Sequence, residues 1–348
     1  MGHSELSIDE MREYLGSYDG ESVRIMEVCG SHTAAIHKNG IPGMLSPRIS
    51  LLSGPGCPVC VTPTAYVDRL IELAEEGSHI VTFGDMLRIP GSHGCLADAK
   101  GKGSAVTMVY SPFDILDMAK ESPNTDFVFA AVGFETTTPV YALLMERLTE
   151  GDYRNVRLLC ALKTMPEVIT YLLESGARID AFIAPGHVSV VTGSDIFVPI
   201  AERFSIPFAV SGFEGEGLLR TICSLVSDKG HGVVRNLYPS VVTPEGNTSA
   251  QALIDKYFEK DSAIWRGMGE VAGSGRYLRE EYASFDAGSR GLTKDEKVNP
   301  ACHCDQVLMG KCTPKDCPLF GKVCTPLTPQ GACMVSEEGS CHSFFVNK

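Results

Sequence analysis

Apolar residues follow two rhythms along this chain. Short runs rich in β-branched and aromatic residues read as strands: VRIMEV (23–28), ISLLS (49–53), HIVTF (79–83), AVTMVY (105–110), DFVFAAV (126–132), VRLLCA (156–161), DAFIA (180–184) and PFAV (207–210). Between them, apolar positions recur every three or four residues in TAYVDRLIELAEE (64–76), PFDILDMAKE (112–121), PEVITYLLES (166–175) and GLLRTICSLVSD (217–228). Strands alternating with amphipathic helices predict an α/β fold, with parallel sheets covered by helices.

The pattern also repeats, at an offset of roughly a hundred residues. EVCGSHT (27–33) parallels AVGFETT (131–137), and TPTAYVDRLIELAEEGSHIVTF (62–83) parallels MPEVITYLLESGARIDAFIA (165–184). PGS (90–92) parallels TGS (192–194). Two related α/β domains are therefore expected, at 1–121 and 122–240. A third region, 241–348, is different in character. It opens on a predicted helix, SAQALIDKYFEKDSAIW (249–265), passes through a Gly-rich charged stretch (266–298), and ends in a proline-rich, loop-like tail.

Composition narrows the function. The formal charge is −13, and no Lys/Arg run could track a phosphate backbone, so no nucleic-acid partner is expected. The opening MGHSELSIDEMREYLG has no apolar signal core, and no apolar run is long enough to span a bilayer. A cytoplasmic protein is expected.

Thirteen cysteines are many for that compartment, where clustered thiols point to metal or redox chemistry. Seven of the thirteen lie in the tail: Cys302, Cys304, Cys312, Cys317, Cys324, Cys333 and Cys341. Their later spacings are wider than those of paired zinc knuckles. Spacing leaves an iron–sulfur cluster, zinc and disulfides open, but the thiols outnumber the ligands of one four-thiolate site. Cys57 and Cys60 form a Cys-x-x-Cys pair ahead of a helix, where Thr62-Pro63 reads as its N-cap and first position. A helix dipole there would favour thiolate. The second repeat has no counterpart of this pair, and Cys29 aligns with Gly133, so the first copy looks chemically specialised.

Cys29 and the Cys57/Cys60 pair each follow a predicted strand. In open α/β sheets ligands gather beyond the carboxyl ends of strands, so all three thiols are expected on one sheet edge. His32 is a candidate second ligand or proton donor. His187 is expected at the equivalent edge of the second domain. Gly133–Pro139, GFETTTP, is a strand-end turn entering a helix, a candidate to bind an anion or to face the first domain, without the lysine or glycine spacing of a phosphate loop.

MEVCGSHT, SGPGCPVCVTP, GFETTTP, APGHVS and CPLFGKVCTPLTPQGACMVSEEGSC together resemble the HypD family, maturation proteins of NiFe-hydrogenases. The resemblance implies two similar α/β domains and a C-terminal domain holding a 4Fe–4S cluster. It also implies a scaffold, formed with the small protein HypC, on which iron receives one CO and two cyanide ligands, cyanide arriving from HypE. It assigns the mononuclear iron to Cys29 and a redox-active pair to Cys57 and Cys60. The cluster ligands would be Cys302, Cys317, Cys324 and Cys341, with Cys304 and Cys333 as a second thiol pair beside the cluster. Cys95 and Cys312 lie outside the family pattern. The expected course of electrons is from cluster to Cys304/Cys333, then to Cys57/Cys60, then to the iron site. Two other classes stay open: a stand-alone iron–sulfur thiol–disulfide reductase and a zinc-stabilised interaction module.

Overall fold

A computed structural model of the chain describes residues 6–151, 153–296 and 299–347. Its strands are β1 (Val23–Glu27), β2 (Ile49–Ser53), β3 (His79–Thr82), β4 (Val106–Met108), β5 (Phe127–Gly133), β6 (Val156–Lys163), β7 (Ala181–Pro185), β8 (Phe208–Ser211), β9 (Val234–Asn236), β10 (Phe258–Trp265) and β11 (Gly269–Leu278). The eight strands expected from the sequence are all present, as are the helices Thr64–Glu75, Asp114–Glu121, Met165–Glu174 and Gly215–Ser227. The fold is α/β, and helices and strands alternate as the periodicity requires.

The strands form two sheets, in the orders β2-β1-β7-β8-β9 and β10-β11-β6-β5-β3-β4. All pairings from β1 to β9 are parallel, while β11 joins β6, and β10 joins β11, antiparallel. Element order in 23–121 matches that in 127–227, as the repeat implies. The sheets do not divide at residue 121, however. Each takes the first two strands of one copy and the last two of the other, so the copies exchange halves.

The exchange is made by two crossover helices. Thr64–Glu75 leaves β2 and packs on the second sheet, where the Tyr66 hydroxyl donates to the Leu159 carbonyl of β6 at 2.7 Å. Met165–Glu174 carries the chain back and buries Val168, Ile169 and Leu172 with Phe182 and Phe208 of the first sheet. Periodicity shows that each helix needs an apolar sheet face, and both sheets offer one.

Residues 249–265 depart from expectation. The helix runs Thr248–Tyr257, and Phe258–Trp265 is a strand. There Phe258, Ala263 and Trp265 are buried between more exposed neighbours, and a register irregularity between Asp261 and Ala263 interrupts the alternation. Its partner β11, GEVAGSGRYL, lies in the stretch read as irregular. Its three glycines weaken a strand locally, and pairing with β6 and β10 supplies the order. Trp265 is fully buried, stacks on Phe134 at 5.8 Å and donates its indole N–H to Ser274.

The tail folds as short turns and two small helices, Cys304–Leu308 and Ser340–Val346, and it docks on the first sheet. Arg24 of β1 donates to the Gly310 carbonyl at 2.8 Å. Phe344 meets His37 edge-on at 4.2 Å. Glu338 packs so tightly on Gly30 that a Cβ there would lie 2.5 Å from the Glu338 Cβ. Among the described residues no helix is long and apolar enough to cross a membrane.

Candidate functional site

The carboxyl ends of β1 and β2 are adjacent, because the two strands pair in parallel from Val23↔Ile49 to Glu27↔Ser53. Cys29 and the Cys57/Cys60 loop therefore share one edge, as expected. The Gly30 N–H donates to the Gly56 carbonyl at 3.1 Å. Gly56 lies against Cys29 itself, where a Cβ would sit 2.3 Å from the Cys29 nitrogen. Only glycine permits that approach. Because β7 pairs with β1 in the same sheet, His187 lies on this edge too, rather than on the edge of a separate domain.

Cys29 caps the helix Gly30–Lys38 and is buried. Its N–H donates to Glu27 Oε2 at 2.9 Å. Burial pushes its thiol up to about 12, with Glu27 and Glu338 adding to the rise and the N–H groups of His32 and Ser31 opposing it. Glu27 was not singled out from sequence, although a carboxylate at the end of a strand whose other residues, Arg24 apart, are core is the available signal. It is pushed up to about 7 by burial, despite hydrogen bonds from the Thr33 hydroxyl, the Cys29 N–H and Ser53.

His32 is wholly buried. Its Nε2 faces the carbonyls of Ser211 and Gly212 at 3.2 and 3.1 Å, so Nε2 carries the proton. Its Nδ1 has no partner among the described residues. Burial lowers its pKa to about 4, which makes it neutral at pH 7 and unsuited to donating a proton there. It ties the Cys29 helix to the end of β8. Phe213 stacks between His32 and His187, at 4.7 and 4.3 Å.

Cys57 and Cys60 are buried, and the Cys60 N–H donates to Cys57 Sγ at 3.2 Å. The following helix starts at Thr64 with Pro63 as its cap. The Thr62 hydroxyl instead donates to the Pro58 carbonyl at 2.9 Å. Cys60 is thus set back from the helix end, and burial drives its thiol well above the ordinary range. The expected thiolate-favouring dipole does not decide its charge.

The tail brings its thiols to this same place. Cys60 is in side-chain hydrogen-bond contact with Cys57 and Cys333. Cys333 contacts Cys304 and Cys341 as well, and Cys304 contacts Cys302. An unbroken file, Cys57–Cys60–Cys333–Cys304–Cys302, thus links the first repeat to the tail. The Cys60 thiol also points at the Ala332 carbonyl, 3.7 Å away. Spacing alone does not place this junction; only the family resemblance, through the expected relay, sets Cys304 and Cys333 next to Cys57 and Cys60.

Of the four expected cluster ligands, Cys324 feels the charges of Cys341 and Cys302 and accepts N–H groups from Gln330, at 3.4 Å, and Gly331. Cys317 is buried and neighbours the partly exposed Cys312, which also lies near Cys341. Among the described residues no three His, Cys, Asp or Glu side chains are grouped to hold a single metal ion. As a donor set, Cys302, Cys317, Cys324 and Cys341 fit the soft-thiol chemistry of a four-iron cluster, with N–H groups aimed at the sulfurs of Cys324 and Cys302. Cys95 stands apart, its thiol 3.2 Å from Asp98. Cys160 and Cys223 are core residues.

On the second sheet, Glu135 of GFETTTP is buried and accepts the Met165 N–H at 2.7 Å. Burial pushes its pKa from 4.5 to about 7. A carboxyl held more tightly protonated in the folded chain supports folding below pH 4.5, and that support is lost as pH rises to 7. Glu135→Gln is therefore expected to gain about 3 kcal/mol at pH 8 and little at pH 4, read by urea denaturation.

Comparison with known proteins agrees with the motifs. Residues 6–348 match the family described as "HypD: Hydrogenase formation hypA family". The chain is 41% identical to a hydrogenase expression/formation protein of Methanocaldococcus jannaschii, covering 97% of this chain and 95% of that one. It is 42% identical to the hydrogenase maturation factor HypD of Escherichia coli, over 97% and 93%. It is 41% identical to the factor of that name in Azotobacter vinelandii, over 93% and 89%.

Proposed function

From the premise that this chain belongs to the HypD family of hydrogenase maturation factors, we propose that it is a cytoplasmic scaffold and redox component, acting with HypC, for assembly of the Fe(CN)2CO unit of NiFe-hydrogenase. The observation that carries this reading is the thiol file, which starts beside the Cys29 edge and ends among the tail thiols.

In this reading Cys29 holds the incoming iron as substrate, its thiolate favoured once a cation replaces lost solvent. Cys302, Cys317, Cys324 and Cys341 hold a 4Fe–4S cluster, which when bound supplies electrons singly. The two dithiol pairs exchange electrons in twos. The Cys333 thiolate attacks Cys60 of a Cys57–Cys60 disulfide and releases Cys57, which takes a proton. Cys304 then attacks Cys333 and releases Cys60. The products are a Cys304–Cys333 disulfide and a Cys57/Cys60 dithiol. That dithiol can give two electrons to a thiocyanate-like carrier such as HypE would bring, freeing cyanide for the iron and a thiol on the carrier, and closing the Cys57–Cys60 disulfide. His32 holds the Cys29 helix against β8 while this occurs.

Cys57 and Cys60 are 3% and 0% exposed, so a carrier brought by HypE and the protein disulfide of a self-contained reductase both require this edge to open, and burial does not separate the two readings. The two readings separate in the complex purified anaerobically with HypC. The scaffold requires iron beyond the cluster's four, together with CO and cyanide infrared bands. Cluster iron alone, with no such bands, would favour the reductase.

A further inference from the structure

The second sheet holds a cavity that the thiol chemistry does not use. It has a volume of about 120 Å3 and lies at the carboxyl ends of β5 and β6, lined by Glu135, Thr138, Thr164, Val191, Ile254 and Arg276 among others. Because 131–137 aligns with 27–33, the Glu135 turn occupies on the second sheet the place that Cys29–His32 occupies on the first.

Two polar side chains there are buried without a full set of partners. Glu135 is 6% exposed and Thr164 is 4% exposed. Glu135 Oε2 and Thr164 Oγ1 have no hydrogen-bond partner among the described residues. The nearby charges are already paired: Arg276 with Asp255 at 3.0 Å and Lys260 with Glu167 at 2.7 Å. No cation touches Glu135; Arg276, on the same cavity wall and paired with Asp255, favours its charge only from a distance, and a buried carboxylate without a counterion in contact is costly.

We propose that this cavity binds a primary ammonium group. An –NH3+ head carries three donors and a positive charge. Glu135 Oε2 and Thr164 Oγ1 are two unused acceptors. Thr138 gives its hydroxyl proton to the Phe134 carbonyl at 2.9 Å and keeps a lone pair as the third. Val191 and Ile254 offer apolar walls for a short alkyl stem. A calcium or magnesium ion suits the site less, because it takes six or more oxygens. The ammonium could belong to a free amine or to a lysine side chain of a docking protein. This assignment stands independently of the thiol chemistry.

The test is a thermal-shift titration of the full chain with n-propylammonium chloride at constant ionic strength and pH 8, where Glu135 is ionised. A saturable rise in Tm is expected, with the half-saturating concentration raised at least about tenfold in Glu135→Gln and in Thr164→Val. Tetramethylammonium, which has no N–H donor, should give no saturable shift. A shift with Nα-acetyl-lysine methyl amide assigns a protein lysine, and a shift with propylammonium alone assigns a free amine. No saturable shift with either amine, an unchanged half-point in the folded variants, or an equal response to tetramethylammonium overturns the proposal. None of these readouts depends on iron or HypC, so the result is separable from failure of the scaffold reading.

Discussion

Cys29→Ala is expected to reduce the CO and cyanide infrared bands of the HypC complex to below about a tenth of their native intensity, since a soft thiolate at this position has no substitute. Its neighbours show why. Glu27, the closest carboxylate, is engaged by Thr33, the Cys29 N–H and Ser53, and the Nε2 of His32 is committed to two carbonyls. The brown absorbance of the proposed tail cluster should persist, because Cys29 is not among the four thiols assigned to it. Hydrogenase maturation should be lost with the bands. Cys57→Ser offers the contrast expected of the proposed roles: the iron bands of the complex should persist, with a lower ratio of cyanide to iron. Persistent bands in Cys29→Ala would remove the iron from this cysteine.

Gly56→Ala should disrupt the site severely through a single added methyl. The added Cβ would lie 2.3 Å from the Cys29 nitrogen, 2.6 Å from its Cα and 2.7 Å from the Val28 carbonyl carbon. All three are backbone atoms at a buried strand end, so no side chain can swing aside. A cost of about 3 kcal/mol is expected, with the Cys57 loop displaced from Cys29 and maturation impaired beyond the loss of stability. Gly43→Ala is the control, because a Cβ there meets nothing within 4 Å. Urea denaturation of both variants, beside maturation assays at matched folded fraction, checks the claim. Native behaviour of Gly56→Ala would mean that the two loops are not held in register by this contact.

The stretch 249–265 shows how far periodicity reaches. Its first half carries a helical spacing and is a helix. Its second half has buried residues on a strand whose alternation is broken near Asp261, and only pairing with a Gly-rich partner makes it a strand. Similarly, Glu27 sits in a run that reads as strand, and its partners lie further along the chain at Cys29, Thr33 and Ser53.

Local sequence by itself determined β1 to β8 and the four amphipathic helices read among them, the repeat, and the placement of Cys29, Cys57 and Cys60 on one edge. Chain direction within a parallel βα unit puts every strand's carboxyl end on the same side, so that placement needs no tertiary knowledge. The tail thiols were visible as a group for the same reason: their clustering is a property of sequence. Tertiary structure alone decided that the repeats exchange halves, that His187 shares the Cys29 edge, and that Cys333 lies between Cys60 and Cys304. An amphipathic helix specifies an apolar face to cover but not which of two similar sheets provides it. Contacts between groups some 270 residues apart, such as Cys60 and Ala332, are fixed only when the whole core closes around them.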